Sequence, residues 1–216
     1  MTRITILGGT GYTGSAIARE ALSRGFGVTS FSRTAPEGDA RLEGVTYKTG
    51  SLTAPDVRSR AVVGADVLVS ALSPRGELDG RIVEVNREIA ALAQAKGLRL
   101  VMVGGFSSLR PKANAPRFAE GDGIPPEFAP EILQMNDILN SLLASPEPLD
   151  FVFFSPAQQY GSFAPGEATG RYRIGGDVVF FDDNGASAIS GADFARAIVD
   201  EIERPSHRRA HLSVAY

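Results

Sequence analysis

The chain has 216 residues, no cysteine, two histidines and a net charge of −3 (22 basic against 25 acidic side chains), which leaves no basic footprint for nucleic acid and rules out disulfides, cysteine nucleophiles and thiolate metal sites. Hydrophobic residues make up 43%, as in an ordinary globular protein, so residues 1–216 are expected to form one α/β domain with a sizeable core. No apolar run is long enough to span a bilayer, and the N-terminus enters a strand without a leader pattern, so no membrane partner and a cytoplasmic location are expected.

Ile4 to Leu7 read as a buried strand, Gly8-Gly9-Thr10-Gly11-Tyr12-Thr13-Gly14 as a glycine-rich turn, and Ser15 to Leu22 as a helix. Strand, glycine turn and helix in that order form the layout of a dinucleotide-phosphate site. One glycine permits the tight turn, one lets backbone approach the pyrophosphate, and one lets helix and strand pack closely. The pyrophosphate would sit on the free amides and positive dipole end of the new helix. Two frames fit: Gly9, Gly11 and Gly14 give G-x-G-x-x-G, and Gly8, Gly11 and Gly14 give G-x-x-G-x-x-G.

Val28 to Arg33 read as a second strand. Sites that prefer NAD place Asp or Glu at its end to hold the ribose 2′-hydroxyl, yet no acid occurs between Val28 and Pro36. Arg33 stands there instead, suited to grip a 2′-phosphate and stack on adenine, so NADP(H) is expected over NAD(H). A third strand at Val45 to Lys48 leads through Ser51-Leu52 to a helix near Ala54–Val63, with Pro55 in its first turn. Asp66 to Leu72 form a strong fourth strand, and Gly80 to Lys96 a long helix with Ile82, Val85, Ile89 and Leu92 on one face. Leu98 to Val103 are the fifth strand, stopped by Gly104-Gly105-Phe106-Ser107-Ser108.

Residues 109–130 carry five prolines and read as a long excursion of the lid type. A helix from about Glu131 to Ala144 precedes the sixth strand, Asp150 to Phe154, ended by Pro156. Residues 157–186 are expected to form a small substrate-side excursion with a hairpin, Arg171 to Ile174 against Val178 to Asp182. A helix starting at Ser190 or Asp193 stops before Pro205, and His211 to Ala215 form a last strand. His207 and His211 read as surface residues flanking it. Glu120, Asp122, Asp182 and Asp183 fit no ligand spacing, so no metal site is expected.

Alternating strands and helices predict a doubly wound parallel sheet of Rossmann type with a small C-terminal lobe. Ligands in such sheets bind beyond the carboxyl ends of the strands. The expected site is therefore a ring of Gly8 to Gly14, Ser32–Arg33, Ser51–Leu52, Ala71-Leu72-Ser73, Gly104 to Ser108 and Pro156 to Gln159.

These motifs resemble the atypical short-chain dehydrogenases of the NAD(P)H-binding, NmrA-like kind, in particular small bacterial proteins described as candidate NADH-flavin reductases. The likeness spans the chain and is carried by the glycine turn, Val103 to Leu109, Phe154-Ser155-Pro156, Gly170 to Asp177 and Ile189 to Ala195. It implies that Gly8, Thr10, Gly11, Tyr12, Thr13 and Gly14 hold the pyrophosphate and that Arg33 meets the 2′-phosphate. Leu52 would lie by the adenine, Ala71-Leu72 by the adjoining ribose, and Gly104, Gly105 and Pro156 by the nicotinamide. Two positions depart from the pattern. Ser51 stands where relatives often carry Asp, and no tyrosine has a lysine four residues on, so the Tyr-x-x-x-Lys acid/base pair is missing.

Hydride transfer to a flavin asks little of the protein beyond alignment. Ser107 and Gln158 are the candidate hydrogen-bond donors to an acceptor ring, and Phe106 and Tyr160 candidate stacking partners, with ordinary loop structure as the other reading of each. The expected protein is an NAD(P)H-dependent reductase of FMN, FAD or another small planar, quinone-like acceptor, acting as a monomer or homodimer. A non-catalytic NAD(P)-binding sensor with a protein partner, and an epimerase or dehydratase, are the other readings.

Overall fold

A computed structural model describes all residues, 1–216. Eight strands form one sheet in the order β3-β2-β1-β4-β5-β6-β8-β7. β1 (Arg3–Leu7), β2 (Gly27–Ser32), β3 (Val45–Thr49), β4 (Val67–Ser70), β5 (Arg99–Val103), β6 (Phe151–Pro156) and β8 (Ala210–Ala215) run parallel, and β7 (Arg173–Gly175) is antiparallel at the edge beside β8. The helices are α1 (Tyr12–Ser23), α2 (Pro55–Ala61), α3 (Ile82–Lys96), α4 (Ala129–Leu143) and α5 (Gly191–Glu203). The expected doubly wound parallel sheet is thus observed.

The central strands are apolar on both faces because both are covered. Ile4 and Ile6, Val67 and Val69, Val101 and Val103, and Val152 and Phe154 pack with α1 and α5. Their alternates Leu68, Leu100 and Met102, and Phe151 and Phe153, pack with α2, α3 and α4. The period of two in the sequence is therefore read out as two separate cores.

Three expectations need correction. α1 begins at Tyr12, three residues before Ser15, because Gly11 is extended (φ −74°, ψ 171°) and caps the helix directly after the turn. Residues 171–182 do not close on themselves as a hairpin. Arg173–Gly175 pair with β8, whereas Val178 bridges to Arg110, since the edge of β8 offers the first half a complete ladder. His211 is not a surface residue: it is buried in β8, with its Nε2 2.9 Å from Ser155 Oγ.

The two excursions at the carboxyl edge of the sheet are fastened to each other and to the body. Arg110 Nε bonds Asp177 at 2.7 Å. Phe118 stacks on Phe106 with centroids 4.8 Å apart, and Arg117 donates to Asn140 of α4 at 2.8 Å. No helix is long and apolar enough to cross a membrane.

Candidate functional site

The turn between β1 and α1 is built by three glycines with different tasks. Gly8 has φ +78°, and a Cβ there would lie 2.7 Å from the Ala71 carbonyl oxygen. At Gly14 a Cβ would overlap the Gly8 carbonyl, so this residue sets the close approach of helix to turn. Gly11 differs: a Cβ there would meet only Gly8 O, at 3.4 Å. Its emptiness faces outward, not into the protein. Gly9 would collide with Ser30, so the frame that combines turn, approach and packing is Gly8, Gly11 and Gly14.

Beyond the turn, α1 has no side-chain cap and no acid in its first turn. Its first amides have no intrahelical acceptor, so the positive end of the helix is open to an anion. The side chains of Tyr12 and Thr13 are engaged elsewhere. Thr13 Oγ1 lies 2.7 Å from Tyr160 Oη, and Tyr12 Oη donates to Pro165 O at 3.3 Å. At these two positions the backbone, not the side chain, is what faces the turn's exterior.

A cavity of about 260 Å³ opens next to the turn, beyond the carboxyl ends of β1, β2, β3 and β4. Gly8, Thr10, Gly11, Ser32, Arg33, Leu52, Ala71, Leu72 and Ser73 line it, which brings together nine of the residues expected from sequence. Phe31, Leu52 and Leu78 give it buried apolar walls. Arg33 is exposed and forms no ion pair within the chain, leaving its guanidinium available to a phosphate. Arg75 and Glu77 also line the cavity and were missed in the sequence, because the Ser73–Gly80 loop carries no motif. Arg75 is paired with Glu131 at 3.1 Å. Ser51 stands at the rim, its Oγ 2.9 Å from Glu77 Oε2. Leu52 is held by Arg58, a buried side chain of α2 that donates to its carbonyl at 2.5 Å.

A glycine turn opening an uncapped helix, beside a cavity with an unpaired arginine, agrees with the sequence comparison: residues 8–205 match the NAD(P)H-binding family. The chain belongs to that family. Among its relatives is the uncharacterized protein YwnB of Bacillus subtilis (strain 168), 32% identical over 98% of this chain and 97% of that one. A Bacteroides thetaiotaomicron protein named as a candidate epimerase superposes with a TM-score of 0.87 at 32% identity, covering 100% of this chain and 97% of that one. A Streptococcus pneumoniae protein named as a candidate NADH-flavin reductase superposes with a TM-score of 0.83 at 26% identity, covering 100% and 99%.

Five more of the residues expected from sequence, Gly104, Gly105, Ser107, Pro156 and Gln158, stand outside that cavity, at and beyond the ends of β5 and β6. A Cβ at Gly104 would overlap the Phe153 ring, whereas one at Gly105 would meet nothing within 4 Å. Gly104 is therefore a packing glycine and Gly105 an open one. Pro156 is the buried last residue of β6, paired with Val214, so the strand runs through it rather than ending before it. Ser107 is half-buried in a 3₁₀ turn, Gln158 is exposed, and the side chain of neither is hydrogen-bonded within the chain.

Tyr160 is not free to stack on a substrate. Its ring packs against Phe194 (centroids 4.7 Å) and Tyr12 (5.6 Å), and burial raises its phenol well above the usual range. His211 is a buried neutral imidazole, pushed down to about 4 by desolvation, with Asp177 opposing that shift and Arg117 and Arg110 adding to it. Among the groups at the two strand ends, neither lysine nor histidine is available as an exposed acid.

Proposed function

We propose that the protein is an NADPH-dependent reductase of a flavin or a similar planar, quinone-like acceptor. The observation that carries this reading is the pairing of an open pyrophosphate cradle with an acceptor side that has hydroxyl and amide donors but no Tyr-x-x-x-Lys pair. Bound there, the nicotinamide would supply a hydride, and the acceptor would take the single proton that completes its reduction from solvent. The first amides of α1 hold the pyrophosphate, and Gly11 gives it room. Arg33 binds the 2′-phosphate, which favours NADPH over NADH. Gly104, Gly105 and Pro156 border the nicotinamide, and the gap at Gly105 admits the ring. Ser107 and Gln158 hydrogen-bond the acceptor's polar edge and align it for transfer.

Name likeness also extends to a candidate epimerase. Chemistry that makes or protonates an alkoxide needs an acid/base pair, and the three lysines, Lys48, Lys96 and Lys112, stand at no Tyr-x-x-x-Lys spacing. The Streptococcus pneumoniae relative is named for the chemistry that needs no such pair.

The test is steady-state NADPH oxidation with FMN, FAD, riboflavin and a quinone, beside simple ketones and nucleotide sugars. Turnover is expected with the first group and not the second. Tight NADPH binding without oxidation by any flavin or quinone would instead fit a dinucleotide sensor.

A further inference from the structure

If the cavity takes the adenosine end of NADPH, two opposite charges in it remain unmatched by each other. Arg33 and Glu77 both line it, yet Glu77 makes no ion pair with Arg33 or with Arg75, whose partner is Glu131. Glu77 is instead tied across the cavity mouth to the end of β3. Ser51 Oγ donates to its Oε2 at 2.9 Å. Ser51 Oγ in turn accepts from Thr53 N at 3.2 Å and lies 2.7 Å from Thr53 Oγ1. A hydroxyl that accepts from two donors and gives its own proton to a carboxylate is polarised toward it. Glu77 Oε1 has no hydrogen-bond partner in the chain, although the carboxylate to which it belongs is held in place.

A fixed anion with one open acceptor site, beside the apolar walls Phe31, Leu52 and Leu78, suits a flat ring that presents N–H groups at its edge. We propose that Glu77, oriented by Ser51, accepts the exocyclic amine of the cofactor's purine and selects an aminopurine over an oxopurine. Arg33 and Glu77 then serve different ends of one nucleoside: the guanidinium takes the phosphate and the carboxylate the base. A 6-oxo group at the same place would turn oxygen lone pairs toward the carboxylate, and the ring's N1–H would reach it only if the base shifted from that position; an unmatched charged acceptor is costly. Glu77 is a specificity residue in this account and Ser51 its positioning residue. The inference rests on the dinucleotide reading above.

Titration of the protein's binding to NADPH and to its deaminated analogue, nicotinamide hypoxanthine dinucleotide phosphate, tests it. The ratio of the two affinities is the readout, because removing a negative charge near Arg33 would by itself strengthen binding of both. The unmodified protein should bind NADPH about tenfold or more tighter than the analogue. Glu77→Gln, whose amide can donate to the oxo group, should bring the ratio near one or invert it. Ser51→Ala should lower it part of the way. Glu77 is exposed and Ser51 only half-buried at the cavity rim, so the variants should fold. Equal affinity in the unmodified protein, or an unchanged ratio in Glu77→Gln, overturns the assignment and leaves the dinucleotide site standing. An unchanged ratio in Ser51→Ala alone removes Ser51's positioning part. Binding of neither dinucleotide overturns the site and the inference together.

Discussion

The Tyr160 phenol and the Thr13 hydroxyl lie 2.7 Å apart, so the first turn of α1 is bonded to the segment that follows β6. Thr13 thus has a side chain committed to packing even though its backbone opens the helix. Thr13→Val should lower stability by about 1–2 kcal/mol, since the buried Tyr160 hydroxyl loses its partner. NADPH affinity should stay within about threefold, because the amides are untouched. Denaturant unfolding and a binding titration check this pair. A tenfold or larger loss of affinity with unchanged stability would put the hydroxyl in contact with the ligand.

The three turn glycines should separate in the same way. Gly14→Ala places a methyl group on the Gly8 carbonyl and should cost at least about 2 kcal/mol of stability. Gly11→Val has only Gly8 O at 3.4 Å from its Cβ, so it should fold and yet lose dinucleotide binding. Circular dichroism and calorimetry on both variants decide. Normal binding by Gly11→Val would make the turn merely structural.

Arg33 lines the cavity without a partner in the chain, whereas Arg75 is already paired. Arg33→Asp should therefore weaken NADPH by about tenfold or more and spare NADH, while Arg75→Ala should change the preference far less. Equal affinity of the unmodified protein for both cofactors would contradict the assignment.

Much of this was legible in the sequence. Strands such as Leu98–Val103 and Asp150–Phe154 declare themselves because a parallel sheet is buried on both faces, and Gly8 to Gly14 mark the turn by local geometry alone. The partner of β7 was not legible. Arg173–Gly175 is a short segment whose choice of β8 over residues 178–182 depends on where the sheet's edge lies. Arg75 and Glu77 were missed for a similar reason. They line the cavity beside Arg33 only because the loop after β4 folds back over the end of β2, a long-range event with no local signal. His211 was misread because a lone histidine near a C-terminus looks exposed, whereas β8 inserts beside β6 and buries it.

Burial of His211 sets a pH dependence. Its folded pKa of about 4 lies below the ordinary 6.5, so between these values the unfolded chain binds the extra proton. Stability should then fall as pH drops through that window, by up to roughly 3 kcal/mol. His211→Gln should flatten this slope while costing some stability at neutral pH through its altered bond to Ser155. Unfolding titrations across the window check the sign, and a slope unchanged in the variant would contradict it.

The central claim is that NADPH held by this turn gives its hydride to a flavin, and one anaerobic single-turnover experiment tests it most directly. NADPH is bound to the protein first and then mixed rapidly with FMN, with nicotinamide and flavin absorbance followed together. The account predicts that both bleach with one rate constant, well above that of free NADPH and FMN, and that Gly11→Val abolishes the acceleration. Bound NADPH that leaves FMN oxidised at the background rate would contradict it.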